Sequence, residues 1–275
     1  MKSTLLFGFV FLLSTTIFGQ TALKKQVDDN IDRKADKYTR VANIIWHMAE
    51  LAYREYKSHQ LLIEVLREAG FDVQQGVADI PTAFIGSYGS GSQIIGLLAE
   101  YDALPGFSQD TVLYRKILEG QQSGHACGHE LLGTTTVTAA VEIKNLLASG
   151  KLKGTIKVFS TLAEEGGSGK VFMTRASVFQ NVDAVLHWHP YNKNFVMHGT
   201  SLVNISAKFR FRGISSHAAA APDKGRSALD GVEAFNYMAN LMREHIPDFT
   251  RIHYVVTNGV PHQTSCLILQ KCTIM

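Results

Sequence analysis

Two amphipathic helices are predicted in the first quarter of the chain. Between Asp32 and Ala69, apolar side chains recur at spacings of three and four residues, which places them on one face of a helix. Gly70 follows the second run, and glycine is common just after the last residue of a helix. The recurring apolar positions are Val41, Ile44, Ile45, Met48, Leu51, Ala52, Leu61, Leu62, Val65 and Leu66.

Beyond these helices, short apolar runs alternate with longer helical patterns. Strands are predicted over 82–85, 93–100, 155–161 and 184–189, with a Gly- and Ser-rich turn at 87–92. Helices are predicted over 130–148 and 171–179. This order is typical of an α/β fold in which a mostly parallel sheet carries helices on both faces.

A different pattern begins near Gly199. Residues 202–211 alternate strictly between apolar and polar side chains, 230–245 have helical spacing, and 251–256 have the pattern of another strand. The change predicts a second module of the α+β class.

The first twenty residues have the pattern of a secretory signal peptide. Lys2 provides a positive charge, residues 5–13 form an apolar run, and Gly19 supplies the small residue that precedes a cleavage site. The run is too short to span a bilayer permanently. We expect cleavage near Gly19 and export to the periplasm or the cell exterior, with an uncleaved membrane anchor as the alternative.

The end of the chain departs from the pattern before it. After Asn258, strand-like alternation gives way to the run GVPHQTSCLILQKCTIM. We hypothesise a frameshift or truncation near Val260, so that residues 261–275 are an out-of-frame tail. Cys266 and Cys272 would then be artefacts, and Cys127 would be the single authentic cysteine.

Composition narrows the class of protein. With 45% hydrophobic and 19% charged residues, a disordered or fibrous chain is excluded. The net charge of +3 is too small and too dispersed to predict a nucleic-acid surface. Most of the eleven histidines lie between His125 and His262, which places the chemistry in that part of the chain.

Residues of the types that bind metals follow three of the predicted strands and fill one loop. Ligands bind beyond the carboxyl ends of parallel strands, so these side chains are expected to converge at one edge of the sheet. Imidazole, thiolate and carboxylate together form a transition-metal shell. The residues are Glu100 and Asp102, Glu164 and Glu165, His187 and His189 at the strand ends, and Cys127 and His129 in the loop.

Each of these residues also has an ordinary structural interpretation. Cys127 alone could be a small buried hydrophobe, and Glu164 with Glu165 could form a solvated acidic turn. Adjacent carboxylates nevertheless have a specific use, because one can bind a metal while its neighbour takes a proton from a water. His187 and His189 fall on the same face of a predicted strand, so at most one is expected to be a ligand.

Five motifs resemble one known family. AEYDALPG, GHACGHE, AEEGGSGK, DAVLHWHP and GISSHAAAAPDKGRSALDG occur in this order between residues 99 and 231. They are similar to the amidohydrolase branch of the di-zinc aminoacylase and carboxypeptidase family, over about residues 31–258. Between the predicted signal peptide at 1–20 and the predicted tail at 261–275, the resemblance implies the first half of a catalytic metal-binding domain at 21–198 and a partial inserted lid or dimerisation domain at 199–260.

The resemblance also implies roles for single residues. It implies a site for two ions of zinc, manganese or cobalt with four ligands in this chain. The fourth ligand is His189, six residues after Asp183, with His187 as the alternative. Glu164 matches the general base, and Asp102 matches a residue that orients a ligand imidazole. Glu100 stands where other branches have a histidine ligand, and it is either a ligand or only a neighbour of the site. His217 in the lid matches a histidine that reaches the site of a partner subunit to stabilise the oxyanion. The full set of implied metal ligands is Cys127, His129, Glu165 and His189.

A family member of this kind would be a homodimeric hydrolase. It would cleave the amide bond of an N-acyl or N-aroyl amino acid or a small peptide with a metal-activated water. The family has a further histidine ligand after the lid, beyond the end of this sequence, so we expect these 275 residues to bind metal weakly and turn over little. A metal-dependent binding protein, or an inactive fragment, is the alternative. A serine hydrolase is disfavoured because the sequence has no G-x-S-x-G motif.

Overall fold

The computed structural model describes residues 22–259, together with the backbone of residues 264–274. The predicted signal peptide and its cleavage site lie outside these residues, as do the side chains of the predicted out-of-frame tail. The chain divides into two compact units, Met1–Lys193 and Asn194–Met275. No helix among the described residues combines the length and hydrophobicity that crossing a membrane requires.

The first unit contains six α-helices, one 3-10 helix (Val77–Asp79) and seven strands among its described residues. The helices are α1 (residues 22–33), α2 (Ala35–Met48), α3 (Tyr56–Glu68), α4 (His129–Ala148), the short turn α5 (Glu164–Gly167) and α6 (Gly169–Arg175). The strands are β1 (Asp72–Gln75), β2 (Phe84–Gly89), β3 (Ile94–Ala99), β4 (Leu104–Pro105), β5 (Ser123–Gly124), β6 (Thr155–Ser160) and β7 (Ala184–Leu186).

The main sheet has the strand order β1-β2-β6-β3-β7. Strands β6, β3 and β7 run parallel, whereas β1 and β2 join antiparallel at one side. The predicted α/β class is therefore confirmed, with a mixed sheet whose central part is parallel. Strands β2 and β3 follow each other in sequence but are separated in the sheet by β6. Strand β6, which follows α4 in the chain, pairs with both of them.

Both faces of this sheet are covered, one of them by helices α3 and α4. On one face, Ile156 and Val158 of β6 share a buried core with Leu62 of α3 and Val137 of α4, and α2 packs against both helices. On the other face, Phe159 points away from that core, and its ring lies 5.0 Å from the ring of Phe179. This alternation along β6 is the period of two that buries both faces of a central strand.

In the first unit, three elements predicted after Gly70 differ from the structure by more than one residue at an end. The strand predicted over 82–85 runs from Phe84 to Gly89 and so takes in residues 87–89 of the predicted turn. The helix predicted over 171–179 ends at Arg175, because Ser177 has φ 58°, which a right-handed helix does not accommodate. The strand predicted over 184–189 ends at Leu186, so His187 and His189 lie beyond it and do not share a strand face. Strand β1 was missed because DVQQ lacks apolar alternation.

The second unit is an antiparallel sheet with a helix packed on it. Strand β10 (Thr264–Ile274) pairs on either side with β8 (Val203–Arg212) and β9 (Ile252–Asn258). Helix α7 (Ala228–Leu241) places Phe235 with its ring 4.6 Å from that of Phe209 of β8. The pairing of β10 with β8 has one register shift, between Leu269 and Cys272, and its pairing with β9 has two.

Candidate metal centre

The candidate site lies where the parallel strands of the first unit end. Glu100 and Asp102 follow β3, the turn α5 follows β6, and His187 and His189 follow β7. Helix α4 begins at His129 and packs against this end of β3, with Gly133 facing the backbone there. A Cβ atom at Gly133 would lie 2.6 Å from the carbonyl oxygen of Glu100, so only glycine allows this approach.

His129 is fully buried and held by Asp102. Its Nδ1 atom lies 3.0 Å from Oδ1 and 3.1 Å from the backbone oxygen of Asp102. Both neighbours are acceptors, so we assign the hydrogen to Nδ1, which leaves a lone pair on Nε2. Burial would lower the pKa of His129, but the hydrogen bond to Asp102 and the carboxylate charge outweigh it and raise this pKa.

Three buried electron-pair donors converge without a hydrogen-bond partner. They are Nε2 of His129, Oε2 of Glu100 and Oε1 of Glu165. Glu100 Oε2 lies 3.1 Å and Glu165 Oε1 lies 4.0 Å from His129 Nε2. Buried polar atoms are rarely left unpaired, because each costs about 1–3 kcal/mol. Bound cations would satisfy these three atoms, so the residues fit the metal ions implied by the sequence.

Cys127 and His189 add softer donors to this cluster. The Sγ atom of Cys127 lies 3.2 Å from Nε2 of His189, whose Nδ1 donates to the backbone oxygen of Pro190. Ligand atoms of Cys127, His129 and His189 all lie within 4.8 Å of one another. Burial and the charge of Glu165 raise the pKa of Cys127 to about 12. A bound cation would reverse that effect by stabilising the thiolate.

Lys170 and His187 both contact the second carboxylate oxygen of Glu100, Oε1. This atom forms an ion pair with Lys170 and lies 3.4 Å from Nε2 of His187. Burial would raise the pKa of Glu100, but the hydrogen bond from His187 and the charge of Lys170 lower it to about 2. The carboxylate is therefore ionised at neutral pH, and its free oxygen faces His129.

A second group of ligand atoms overlaps the first. Atoms of Glu100, His129 and Glu164 also lie within 4.8 Å of one another. One imidazole nitrogen binds one ion, so His129 belongs to a single ion. The structure thus places Glu100 among the donor atoms, in addition to the four ligands predicted from the sequence.

The carboxylate turn, residues 163–168, presents the paired glutamates. Ala163 and Ser168, at its two ends, are in the left-handed region with φ 53° and 56°. The backbone N–H of Glu165 donates to Oδ2 of Asp102 at 2.9 Å, which ties the turn to the residue that holds His129. Glu164 is exposed and Glu165 is half-buried. Burial and the charge of Glu164 raise the pKa of Glu165, while the charge of His129 lowers it.

The structure therefore brings the predicted ligands together with Asp102 and Glu164. His189 lies with Cys127 and belongs to the same candidate group of ligand atoms, whereas His187 lies with Glu100. The choice of His189 as the ligand stays a prediction. His217 belongs to the second unit, where its Nδ1 accepts from the N–H groups of Ala219 and Ala220. Its predicted role stays a prediction.

Sequence reasoning gave no role to Lys170 or Glu55. Lys170 ends the AEEGGSGK motif, so the sequence does place a cation close to the pair of carboxylates. Glu55 lies where α3 begins, 108 residues before its partner Ala163, and no local pattern distinguishes it from a surface residue.

Comparisons with known proteins agree with this geometry. Residues 96–265 match the model of peptidase family M20/M25/M40. The chain is 43% identical over 235 residues to one of the subunits of p-aminobenzoyl-glutamate hydrolase from Escherichia coli, covering 85% of this chain and 49% of that protein. It is 30% identical over 250 residues to the Xaa-Arg dipeptidase of Mus musculus, covering 86% and 54%. The chain thus spans about half the length of these relatives.

A solved structure with the same fold is the Bacillus subtilis dinuclear metal-binding peptidase from the M20 family. It aligns with a TM-score of 0.54 at 17% identity, covering 86% of this chain and 64% of that one. The family model covers well over half of the chain, and it includes every residue of the cluster described above. The chain belongs to peptidase family M20/M25/M40.

Proposed function

We propose that the protein hydrolyses the amide bond of an N-acyl or N-aroyl amino acid or a small peptide. The observation that carries this proposal is the convergence of three unpartnered buried donors, on His129, Glu100 and Glu165, beside the exposed carboxylate of Glu164. The name of the E. coli relative supports an amide of an aromatic acid and glutamate as one substrate of this class.

The ligands we propose are Cys127, His129, Glu165 and His189, with Glu100 as an additional donor for a second ion. Mixed sulfur, nitrogen and oxygen donors accept zinc, manganese or cobalt. Divalent ions held here would supply the charge that makes a water acidic and polarises an amide carbonyl. The site would thus have a nucleophile at neutral pH without a covalent intermediate on the protein.

The residues of the chain then have distinct tasks. Glu164, exposed next to a half-buried Glu165, would accept the proton of the attacking water and return it to the leaving nitrogen. Asp102 fixes the tautomer of His129 and holds the N–H of Glu165. His217 would stabilise the oxyanion in a homodimer formed through the second unit, and the protein would act after export.

The test is hydrolysis of a panel of N-acyl and N-aroyl amino acids and dipeptides, with this chain and with a form of the relatives' length. We expect little turnover from the short form and chelator-sensitive turnover from the long one. Glu164→Gln should abolish hydrolysis and leave in place the ion held by Cys127, His129 and His189, since none of these ligands changes. Hydrolysis retained in Glu164→Gln would contradict the role of Glu164 as the base. Metal-dependent binding of these compounds without turnover, unchanged in Glu164→Gln, would instead favour a metal-dependent binding protein.

A further inference from the structure

Glu55 is a fully buried carboxyl group whose role nothing described so far explains. Its side chain is 0% exposed at the beginning of α3. Burial raises the pKa of Glu55 to about 7, and the negative charge of Asp102 also acts to raise it. Burying a carboxylate without a cation is unfavourable unless its oxygens are hydrogen-bonded. The partners of those oxygens therefore indicate what the group does.

Each oxygen of Glu55 has one hydrogen-bond donor. Oε1 accepts from the backbone N–H of Ala163 at 3.0 Å, and Oε2 accepts from the hydroxyl of Thr82 at 3.3 Å. The first contact joins α3 to the carboxylate turn across 108 residues of sequence. Ala163 immediately precedes the glutamate pair, so the contact acts where the direction of that pair is set.

Ala163 needs such a partner because its conformation is unfavourable. It has φ 53° and ψ 37°, which costs a residue with a Cβ atom about 1–2 kcal/mol. It is also 0% exposed, so its N–H has no access to water. A strained backbone position persists only where its surroundings hold it. Glu55 supplies that hold.

Two further contacts fix the rest of the turn. The N–H of Glu165 donates to Asp102, and the hydroxyl of Tyr53 donates to the backbone oxygen of Gly167 at 2.6 Å. The turn is thus held at its beginning by Glu55, in its middle by Asp102 and near its end by Tyr53. Loss of the first contact would release Ala163 toward ordinary φ values and rotate both glutamates that follow.

We propose that Glu55 is a positioning residue, which holds left-handed Ala163 and thereby aims Glu164 and Glu165 at the cluster around His129. The inference rests on the proposed function in assigning those glutamates to the metal centre. Glu55 acts through the backbone of the turn and touches neither the ions nor the substrate.

The test combines substitutions at positions 55 and 163 and measures the dissociation constant of Co²⁺ by calorimetry. Glu55→Gln keeps an acceptor for Ala163 and can donate to Thr82, so binding should stay within about twofold of wild type. Glu55→Met removes the acceptor and should weaken binding about tenfold, the equivalent of one buried hydrogen bond. Ala163→Gly adopts a left-handed conformation freely, so adding it to Glu55→Met should restore most of the affinity.

The recovery distinguishes positioning from a purely structural role. A cavity or lost packing at position 55 would not be repaired by removing a methyl group at position 163. Wild-type affinity in Glu55→Met, or no recovery in the double variant, overturns the inference. If the wild-type chain binds no Co²⁺, the proposed function fails instead. These proteins and the single variant Ala163→Gly then decide the inference by urea unfolding, where Ala163→Gly must stabilise Glu55→Met more than it stabilises wild type.

Discussion

Gly166 and Gly167 are neighbours in the carboxylate turn, but Gly167 is closely surrounded and Gly166 faces open space. Alanine at the two positions should therefore change the stability of the fold by very different amounts. A Cβ atom at Gly167 would lie 2.8 Å from Cζ of Tyr53, closer still to Cε2 of that ring, and 3.0 Å from Cβ of Ala163. A Cβ atom at Gly166 would have nothing within 4 Å, and Gly166 does not have positive φ.

The expected cost at Gly167 has two parts. Relieving the overlap requires the Tyr53 ring to move by about 1 Å, and overpacking of this kind costs about 1–3 kcal/mol. The same movement breaks the hydrogen bond from the Tyr53 hydroxyl to the Gly167 oxygen, worth about 1 kcal/mol. Gly167→Ala should therefore lower the free energy of unfolding by about 2–4 kcal/mol.

Urea unfolding of both variants measures this difference directly. Gly166→Ala should stay within about 0.5 kcal/mol of wild type, as surface substitutions usually do. Gly167→Ala should also weaken Co²⁺ binding, because the displaced turn carries Glu165. Equal stability of the two variants would refute the account of how this turn is held.

Three further perturbations test the buried charges. Burial raises the pKa of Glu55 from 4.5 to about 7, so the folded state binds this proton more tightly than the unfolded state does. As the pH rises from 4.5 to 7.5, the free energy of unfolding of wild type, measured with urea, should therefore fall by about 3 kcal/mol relative to that of Glu55→Gln. Lys170→Met leaves buried Glu100 without its cation, so the free energy of unfolding should fall by about 1–3 kcal/mol without metal. Asp102→Asn cannot accept from both His129 and the Glu165 N–H, so calorimetry should show about 10–100-fold weaker metal binding.

Each of these predictions has its own control or contrary result. A pH dependence shared equally by wild type and Glu55→Gln would mean that another group titrates. Lys116→Met removes an exposed partner of Asp110 and should change stability by less than about 1 kcal/mol, so an equal effect at Lys170 would contradict its burial argument. Wild-type metal affinity in Asp102→Asn would show that the orientation of His129 is set elsewhere.

The parts of the fold that follow from local pattern were predictable from the sequence. Helices α2 and α3 fall within the helical range predicted over 32–69, although Leu51 and Ala52 lie between them, and α4 lies within one residue of its predicted bounds. Strand order was not predictable, because the insertion of β6 between β2 and β3 depends on contacts made after α4. The positions of His187 and His189 were not predictable either. They depend on the end of β7 at Leu186, whereas the apolar pattern predicted a strand as far as residue 189.

The residue types of the metal centre were visible in the sequence, whereas the groups that hold them were not. Cys127, His129 and the glutamate pair occupy recognisable positions after strands and in one loop. Glu55 and Lys170 act across the fold, through Ala163 and Glu100, and such pairings are decided by tertiary packing. The unpartnered oxygen of Glu100 is also visible only when the burial of each atom is known.

The central claim, a cation centre that uses the Cys127 thiolate, is tested most directly by titrating the protein with Co²⁺ and recording its absorption. We predict a sulfur-to-cobalt charge-transfer band that Cys127→Ser abolishes and that the matched variant Cys266→Ser retains. A titration without this band, or a band that survives in Cys127→Ser, would contradict it.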